Sequence, residues 1–151
     1  MDFLNYFLIS LVVYLGLLIG IILSFMAKEE LKDGKRYFIL LHNIILGFIL
    51  FFVLEFFRVN VYLALFLPLV LIVVLFYFNE LYKKSYITYF LLGIVFYISS
   101  KNVNFLLVVS SLILFYGFFI GSLQINFKKK NYFRILLNNL LFFVCLVLFF
   151  I

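Results

Sequence analysis

The sequence is poor in the residue types that ordinarily interrupt or solvate a protein chain. Charged residues make up only 12% of it, and one proline and seven glycines stand among 151 residues. Hydrophobic residues reach 69%, against roughly 45–50% apolar residues in soluble domains. A soluble chain of this length could not bury so much leucine, isoleucine and phenylalanine in one core. The scarcity of charge therefore excludes an ordinary soluble protein and predicts an integral membrane protein.

Residue types that carry catalysis or bind metals are equally scarce. The one cysteine, Cys145, has no partner for an internal disulfide or a zinc site, and His42 is the only histidine. Asp2 and Asp33 lie outside the apolar runs, so the sequence lacks the two membrane-embedded aspartates of an aspartyl protease. It also lacks a serine-hydrolase motif and a phosphate-binding loop. We therefore predict no cofactor, no metal and no enzymatic activity.

Six apolar runs separate cleanly along the chain. A helix needs about 20 mostly apolar residues to cross a bilayer, and continuous runs without alternation favour helices over strands. The predicted spans are 3–26, 38–57, 61–79, 85–100, 103–123 and 135–151. We expect an all-α, polytopic protein with a single transmembrane domain over residues 1–151, folded as a compact bundle of three helical hairpins.

Basic residues are distributed unevenly between the two sides of this predicted bundle. Arg58 and Lys101 fall on one side, and the other ten fall on the opposite side: Lys28, Lys32, Lys35, Arg36, Lys83, Lys84, Lys128, Lys129, Lys130 and Arg134. Because cytoplasmic loops carry the excess of lysine and arginine, both termini are predicted outside the cytoplasm, with the plasma membrane as the location. The net charge of +6 then indicates anionic lipid headgroups, and not nucleic acid, as a partner.

Four glycines and the single proline indicate how the spans pack. Gly16 and Gly20 in the first span, and Gly117 and Gly121 in the fifth, are four residues apart. This spacing lets helix backbones approach closely, so we predict packing faces there, with a solute path lined by small residues as the alternative. Pro68 lies in the middle of the third span and predicts a kink, either as helix shape alone or as a transporter hinge.

Polar residues collect near the predicted cytoplasmic ends of the spans. They are Glu29, Glu30, His42, Asn43, Asn79, Glu80, Asn138 and Asn139. Such groups are costly to bury in hydrocarbon unless they find partners or water. If the bundle gathers these ends, the eight residues form a polar vestibule open to the cytoplasm and suited to a cation, a lipid headgroup or a partner loop. The alternative is that they lie at headgroup depth and contact water.

The segment KEELKDGKR, residues 28–36, is predicted as a cytoplasmic turn that ends near Gly34. The same region partly resembles the motifs of the intramembrane CAAX-type endopeptidases. Glu29–Glu30 matches the start of one motif, and Phe38 with His42 matches Phe-x-x-x-His. Gly34 stands where that family has arginine, and no second histidine motif follows. An intramembrane hydrolase is therefore only a minor alternative.

Two functions of different classes fit the pattern of spans. The leading prediction is a transporter- or channel-like six-helix bundle with a polar vestibule, acting alone or as a homo-oligomer. The alternative is a non-catalytic membrane subunit or scaffold that binds other membrane proteins. Helices that are apolar on all sides do not reveal which face meets lipid and which meets protein, so both functions stay open.

Overall fold

The computed structural model describes residues 2–77, 85–125 and 132–149. Its helices are α1 (Phe3–Met26), α2 (Lys28–Phe56), α3 (Val61–Tyr77), α4 (Ser85–Ser99), α5 (Val103–Gln124) and α6 (Tyr132–Asn139), followed by a 3₁₀ segment (Leu140–Phe149). The described residues contain no strand, which confirms the all-α prediction.

Three of the helices are long and apolar enough to cross a membrane. They are α1, the part of α2 from Asp33 to Phe56, and α5. At about 1.5 Å per residue, α1 is about 36 Å long and α5 about 33 Å, which exceeds the ~30 Å hydrocarbon core of a bilayer. The apolar helices α3 and α4 have 17 and 15 residues and are shorter than that core. The length criterion therefore selects three of the six predicted spans.

The closest helix pair in the described structure is α1 with α5, and the two run in the same direction. Gly16 lies against the backbone of Leu114, and one turn later Gly20 lies against the backbone of Phe118. Residue numbers thus rise together along both helices. Around this contact the core is fully buried, as at Leu17 of α1.

α2 packs against the other side of α5 and runs antiparallel to it. Near the start of α2, the rings of Phe38 and Phe119 lie 5.4 Å apart. Near its end, Phe56 stacks on Phe105 at 4.3 Å with nearly parallel rings. The α2 numbers rise as the α5 numbers fall, so the two helices have opposite directions.

α4 closes the bundle on the side of α1. The ring of Tyr6 lies 4.8 Å from Phe96, and further along α1 the ring of Tyr14 lies 6.3 Å from Tyr89, so these helices are antiparallel. The 3₁₀ segment packs against α4, with Phe142 5.5 Å from Phe96. The principal contacts are therefore α1 with α5, α4 with the 3₁₀ segment, and α2 with α3 and α5. Chain order alone had suggested pairing of neighbours in three hairpins.

α2 begins at Lys28, ten residues before the predicted start of the second span, and this corrects the predicted turn over residues 28–36. Ala27 is the only residue between α1 and α2, and Gly34 lies inside the helix. Lysine, glutamate and leucine favour helices, and Glu29 and Glu30 in the first turn complement the positive end of the helix dipole. A search for apolar runs finds only the part of a helix that suits lipid, so it missed this charged extension.

The sixth predicted span, 135–151, also differs from the structure, which has a short α-helix followed by a 3₁₀ segment in this region. α6 begins earlier, at Tyr132, and ends at Asn139, where the chain continues in tighter 3₁₀ winding to Phe149. Nothing in the apolar sequence of the 3₁₀ segment accounts for this winding, since such runs rarely exceed about 3–4 residues.

α3 lies at the edge of the bundle, against α2. Of its residues only Ala64 and Pro68 are buried. Pro68 lies opposite Gly47 of α2, where an added β-carbon would come within 2.6 Å of Ile72 Cδ1 and 3.6 Å of the Pro68 carbonyl oxygen. The helix continues on both sides of Pro68, which lacks the N–H that would bond to the Ala64 carbonyl, and the kink itself stays a prediction.

A cleft of about 330 Å³ remains between α2 and α3 beside this contact. Only apolar residues line it: Ile44, Gly47, Phe48, Phe51, Leu65, Pro68, Leu69 and Ile72. The cleft therefore offers no side-chain group for hydrogen bonding.

Candidate functional site

The structure separates the six described residues of the predicted vestibule. Glu29, Glu30 and Asn138 are exposed, whereas His42, Asn43 and Asn139 are buried, and Asn79 and Glu80 lie outside the described residues. The two glutamates thus face outward at the start of α2 and are not gathered with His42. The residues that resemble an endopeptidase motif are also separated. Glu29 and Glu30 are exposed, Phe38 packs on Phe119, and His42 is buried in the core.

A buried polar cluster lies instead between α2, α4 and α5. We call it the polar centre and define it as His42, Asn43, Tyr89 and Tyr116. His42 Nδ1 lies 3.0 Å from Asn43 Oδ1 within α2, and both side chains are buried. Since an amide oxygen only accepts, Nδ1 of His42 carries the proton and donates to it.

Aromatic contacts connect this pair to the neighbouring helices. The His42 ring lies 4.9 Å from the ring of Tyr116 at an angle of 35°. Tyr116 in turn meets Tyr89 edge to face at 5.4 Å. Both tyrosines are at most 1% exposed, so three rings from three helices form one continuous contact inside the bundle.

Each member of the polar centre has a buried polar atom without a hydrogen-bond partner. These atoms are His42 Nε2, Asn43 Nδ2, and the hydroxyl oxygens of Tyr89 and Tyr116. Thr88 is close to the Tyr116 hydroxyl but lacks the geometry of a hydrogen bond. Leaving one such group unsatisfied costs about 1–3 kcal/mol. Four such groups on neighbouring side chains are a substantial destabilisation that packing alone does not explain.

Other buried polar side chains in the described structure do find partners. Ser24 and Ser99 each donate to a carbonyl one turn earlier in their own helix, at 2.6 and 2.7 Å. Asn139 accepts a 2.7 Å hydrogen bond from Ser85 and donates to the Ile135 carbonyl. Asn139 therefore links α4 and α6 by hydrogen bonding. The polar centre differs from the rest of the described core because its polar groups are left without partners.

Packing glycines determine how closely the helices approach beside the polar centre. A β-carbon at Gly117 would lie 2.8 Å from the Tyr89 hydroxyl oxygen and 2.8 Å from Leu17 N. At Gly121 it would lie 2.5 Å from the Leu17 carbonyl oxygen. Gly16, Gly20, Gly117 and Gly121 thus all lie in the contact of α1 with α5, and Gly117 also accommodates Tyr89.

The polar centre lies well inside the apolar part of the bundle. His42 follows Arg36 by six residues, which is about 9 Å along α2. Counted back from Phe56, the twenty residues to Arg36 span about 30 Å, the thickness of a hydrocarbon core. The charged extension of α2, before Arg36, thus lies outside the hydrocarbon core. The polar centre lies inside the hydrocarbon core, about 9 Å from Arg36.

No charged side chain belongs to the polar centre. α1, α4 and α5 contain no Asp, Glu, Lys or Arg, and α2 contains none between Tyr37 and Leu54. Within the described residues, no three His, Cys, Asp or Glu side chains form a group that could hold a metal ion. The chemistry available at the polar centre is therefore hydrogen bonding and contact with aromatic rings.

Sequence reasoning found His42 and Asn43 but missed Tyr89 and Tyr116. Tyrosine is enriched at the membrane–water interface, so a tyrosine in an apolar run does not by itself indicate a buried polar cluster. The packing glycine Gly117 gave no sign of it, because adjacent residues of a helix point about 100° apart and Tyr116 therefore lies on another face. In the structure Gly117 faces α1, whereas Tyr116 contacts His42 of α2 and Tyr89 of α4.

Comparison with protein-family models, with curated proteins and with solved structures found no match for this chain.

Proposed function

We propose that the protein is a small polytopic membrane protein that binds a small solute at the polar centre and passes it across the bilayer, as a transporter or channel, without catalysing a reaction. One observation carries the proposal: four buried polar groups on three helices lack partners at a depth where lipid offers none. Polar groups at such a depth are costly and usually functional. A bound solute would satisfy them.

The proposed topology has six spans, with both termini outside the cytoplasm in the plasma membrane. The parallel directions of α1 and α5 support it, since an odd number of crossings must separate two parallel spans. Three crossings, by α2, α3 and α4, meet this condition, although α2 alone would also meet it. The described lengths of α3 and α4 fall short of a full span, and local thinning of the bilayer accommodates such a difference at modest cost.

Cysteine labelling distinguishes six spans from three. With Cys145 replaced by serine, Lys83→Cys lies between α3 and α4, while Lys35→Cys and Lys101→Cys serve as references for the two sides. Six spans place Lys83→Cys on the same side as Lys35→Cys. Labelling of Lys83→Cys together with Lys101→Cys would show that α3 and α4 do not cross.

Flux measurements test the proposed activity. The purified chain is reconstituted in liposomes and supplied with a panel of small ions and uncharged solutes. We expect flux of at least one solute above that of empty liposomes, reduced by Tyr116→Phe and by His42→Phe. Tyr62→Phe is the matched control, because Tyr62 is 83% exposed on α3. Equal flux in all variants would exclude the polar centre from the function.

A second candidate, a non-catalytic membrane subunit or scaffold, is favoured by α3. That helix has only two buried residues among 17, and its remaining apolar side chains could meet lipid or another membrane protein. Purification in a mild detergent separates the two functions. A stoichiometric partner protein supports the subunit, while a lone chain or homo-oligomer supports the transporter. In either case we propose that the basic cytoplasmic side contacts anionic lipid headgroups.

A further inference from the structure

We infer that the polar centre binds a small uncharged solute that carries both a hydrogen-bond donor and an acceptor, of the amide or polyol class. This inference rests on the proposed function, because it names the kind of solute that the same site would take. Three features of the polar centre support this solute class: the donor or acceptor character of its unpartnered atoms, the lack of ionised side chains among its residues, and the short distances between its rings.

The unpartnered atoms include both donors and acceptors. Since Nδ1 of His42 donates to Asn43, Nε2 of the neutral ring has a lone pair and accepts. Asn43 Nδ2 is an amide NH₂ group and can only donate, and the Asn43 oxygen already accepts from His42. The hydroxyls of Tyr89 and Tyr116 can do either. A solute that satisfies all four groups must therefore present an N–H or O–H group to His42 and an acceptor to Asn43.

The surroundings of the polar centre disfavour an ion. No ionised side chain belongs to the centre, and Arg36, the nearest charged residue along α2, is about 9 Å away from His42. An ion at this depth would lose its hydration shell without meeting an opposite charge among the described residues of the spans, and hydrogen bonds from neutral groups offset only part of that loss. An uncharged solute loses far less on leaving water, so the same four groups suffice to bind it.

The rings also limit the size of the solute. His42, Tyr116 and Tyr89 are in contact, with centroids 4.9 and 5.4 Å apart. A solute of more than a few non-hydrogen atoms would have to separate them. Urea and glycerol carry donors and acceptors on a small frame and are suitable probes.

The test compares uncharged and charged probes with the same protein. Full-length chain is reconstituted in liposomes, and shrinking and reswelling under urea or glycerol gradients are followed by stopped-flow light scattering. Parallel samples receive Na⁺, K⁺ and Cl⁻ gradients with ion-selective readouts. Wild type, Tyr116→Phe, Tyr89→Phe and the matched control Tyr62→Phe are compared, each after a check that its helicity and thermal unfolding in detergent are those of a folded protein.

We expect urea or glycerol to equilibrate at least about tenfold faster than in empty liposomes, with a loss of about fivefold or more in Tyr116→Phe and Tyr89→Phe, the scale of one hydrogen bond. Tyr62→Phe should equal wild type, and ion fluxes should equal those of empty liposomes. Ion flux that falls in the same two variants would overturn the inferred solute class and leave the proposed function standing. If neither uncharged probes nor ions cross faster than in empty liposomes, the inference and the proposed function both fail.

Discussion

The α-carbon of Gly16 lies so close to the carbonyl group of Leu114 that α1 and α5 leave no room for a side chain between them. The obstacle at Gly16 is backbone, which cannot move aside as a flexible side chain would. Gly34 is a useful contrast, since a β-carbon there would meet only the ring of Phe38, at 3.8 Å.

Substituting alanine at these two glycines should therefore have opposite effects. Gly16→Ala should lower the free energy of unfolding by about 1–3 kcal/mol, because α1 and α5 must separate. Gly34→Ala should raise it by up to about 1 kcal/mol, because alanine is the better residue in a helix interior. Thermal unfolding in detergent, followed by circular dichroism, measures both. A tolerated Gly16→Ala would mean that the α1–α5 contact is looser than described.

Tyr116→Phe should make the protein more stable while it impairs solute flux. The variant removes a buried hydroxyl that has no hydrogen-bond partner, and so removes a desolvation penalty of about 1–3 kcal/mol. Tyr14→Phe is the matched contrast, since the Tyr14 hydroxyl donates to the Leu136 carbonyl at 2.7 Å and its loss should destabilise. The midpoints of thermal unfolding of the two variants should shift in opposite directions. A lower midpoint for Tyr116→Phe would indicate that its hydroxyl is satisfied in the native protein.

The sequence alone predicted the helical class, the bounds of α1 and α5, and the close approach of glycines, because apolar runs and residue spacing are local patterns. It did not predict that His42 and Asn43 would be buried with tyrosines while Glu29 and Glu30 stay exposed. That outcome depends on the rotation of each helix about its own axis, and a helix that is apolar on all sides gives little sign of its rotation. The charged start of α2 was missed for a different reason, since helix formation there depends on propensity and not on hydrophobicity.

Arg58→Gly should stabilise the end of α2. Arg58 has a φ of 54°, in the left-handed region, and its N–H donates to the Glu55 carbonyl while the N–H of Val59 donates to Leu54. This is the Schellman pattern, in which glycine is the preferred residue. Relief of the left-handed strain should raise the free energy of unfolding by about 1 kcal/mol.

The control is Arg58→Ala, which removes the same charged side chain but keeps the β-carbon. It should leave the stability of the protein close to that of wild type. If Arg58→Ala stabilises as much as Arg58→Gly, the gain comes from the loss of charge and not from the backbone. Denaturation midpoints of the three proteins in one detergent decide between these causes.

Asn102→Ala should destabilise α5 at its start. The Asn102 side-chain oxygen accepts hydrogen bonds from the N–H groups of Asn104 and Phe105, at 3.0 and 3.2 Å. Loss of such an N-cap costs about 1 kcal/mol. Asn102→Asp keeps the acceptor and should retain wild-type stability in the same unfolding assay. Equal losses in both variants would show that the amide group itself, and not the cap, stabilises the helix.

Ala27, the only residue between α1 and α2, has a mechanical consequence. α1 is held along its length by α5, whereas α2 leaves α1 at once and packs on α3 and on the opposite side of α5. With φ −117° and ψ 45°, Ala27 departs from helical geometry, so α1 and α2 do not form one straight helix. His42 and Asn43 lie on the same uninterrupted helix, so a change of backbone angle at Ala27 moves them together. The charged first turns of α2 lie at the end of the helix next to Ala27. A force applied to them at the membrane surface would therefore be transmitted along α2 to His42 and Asn43.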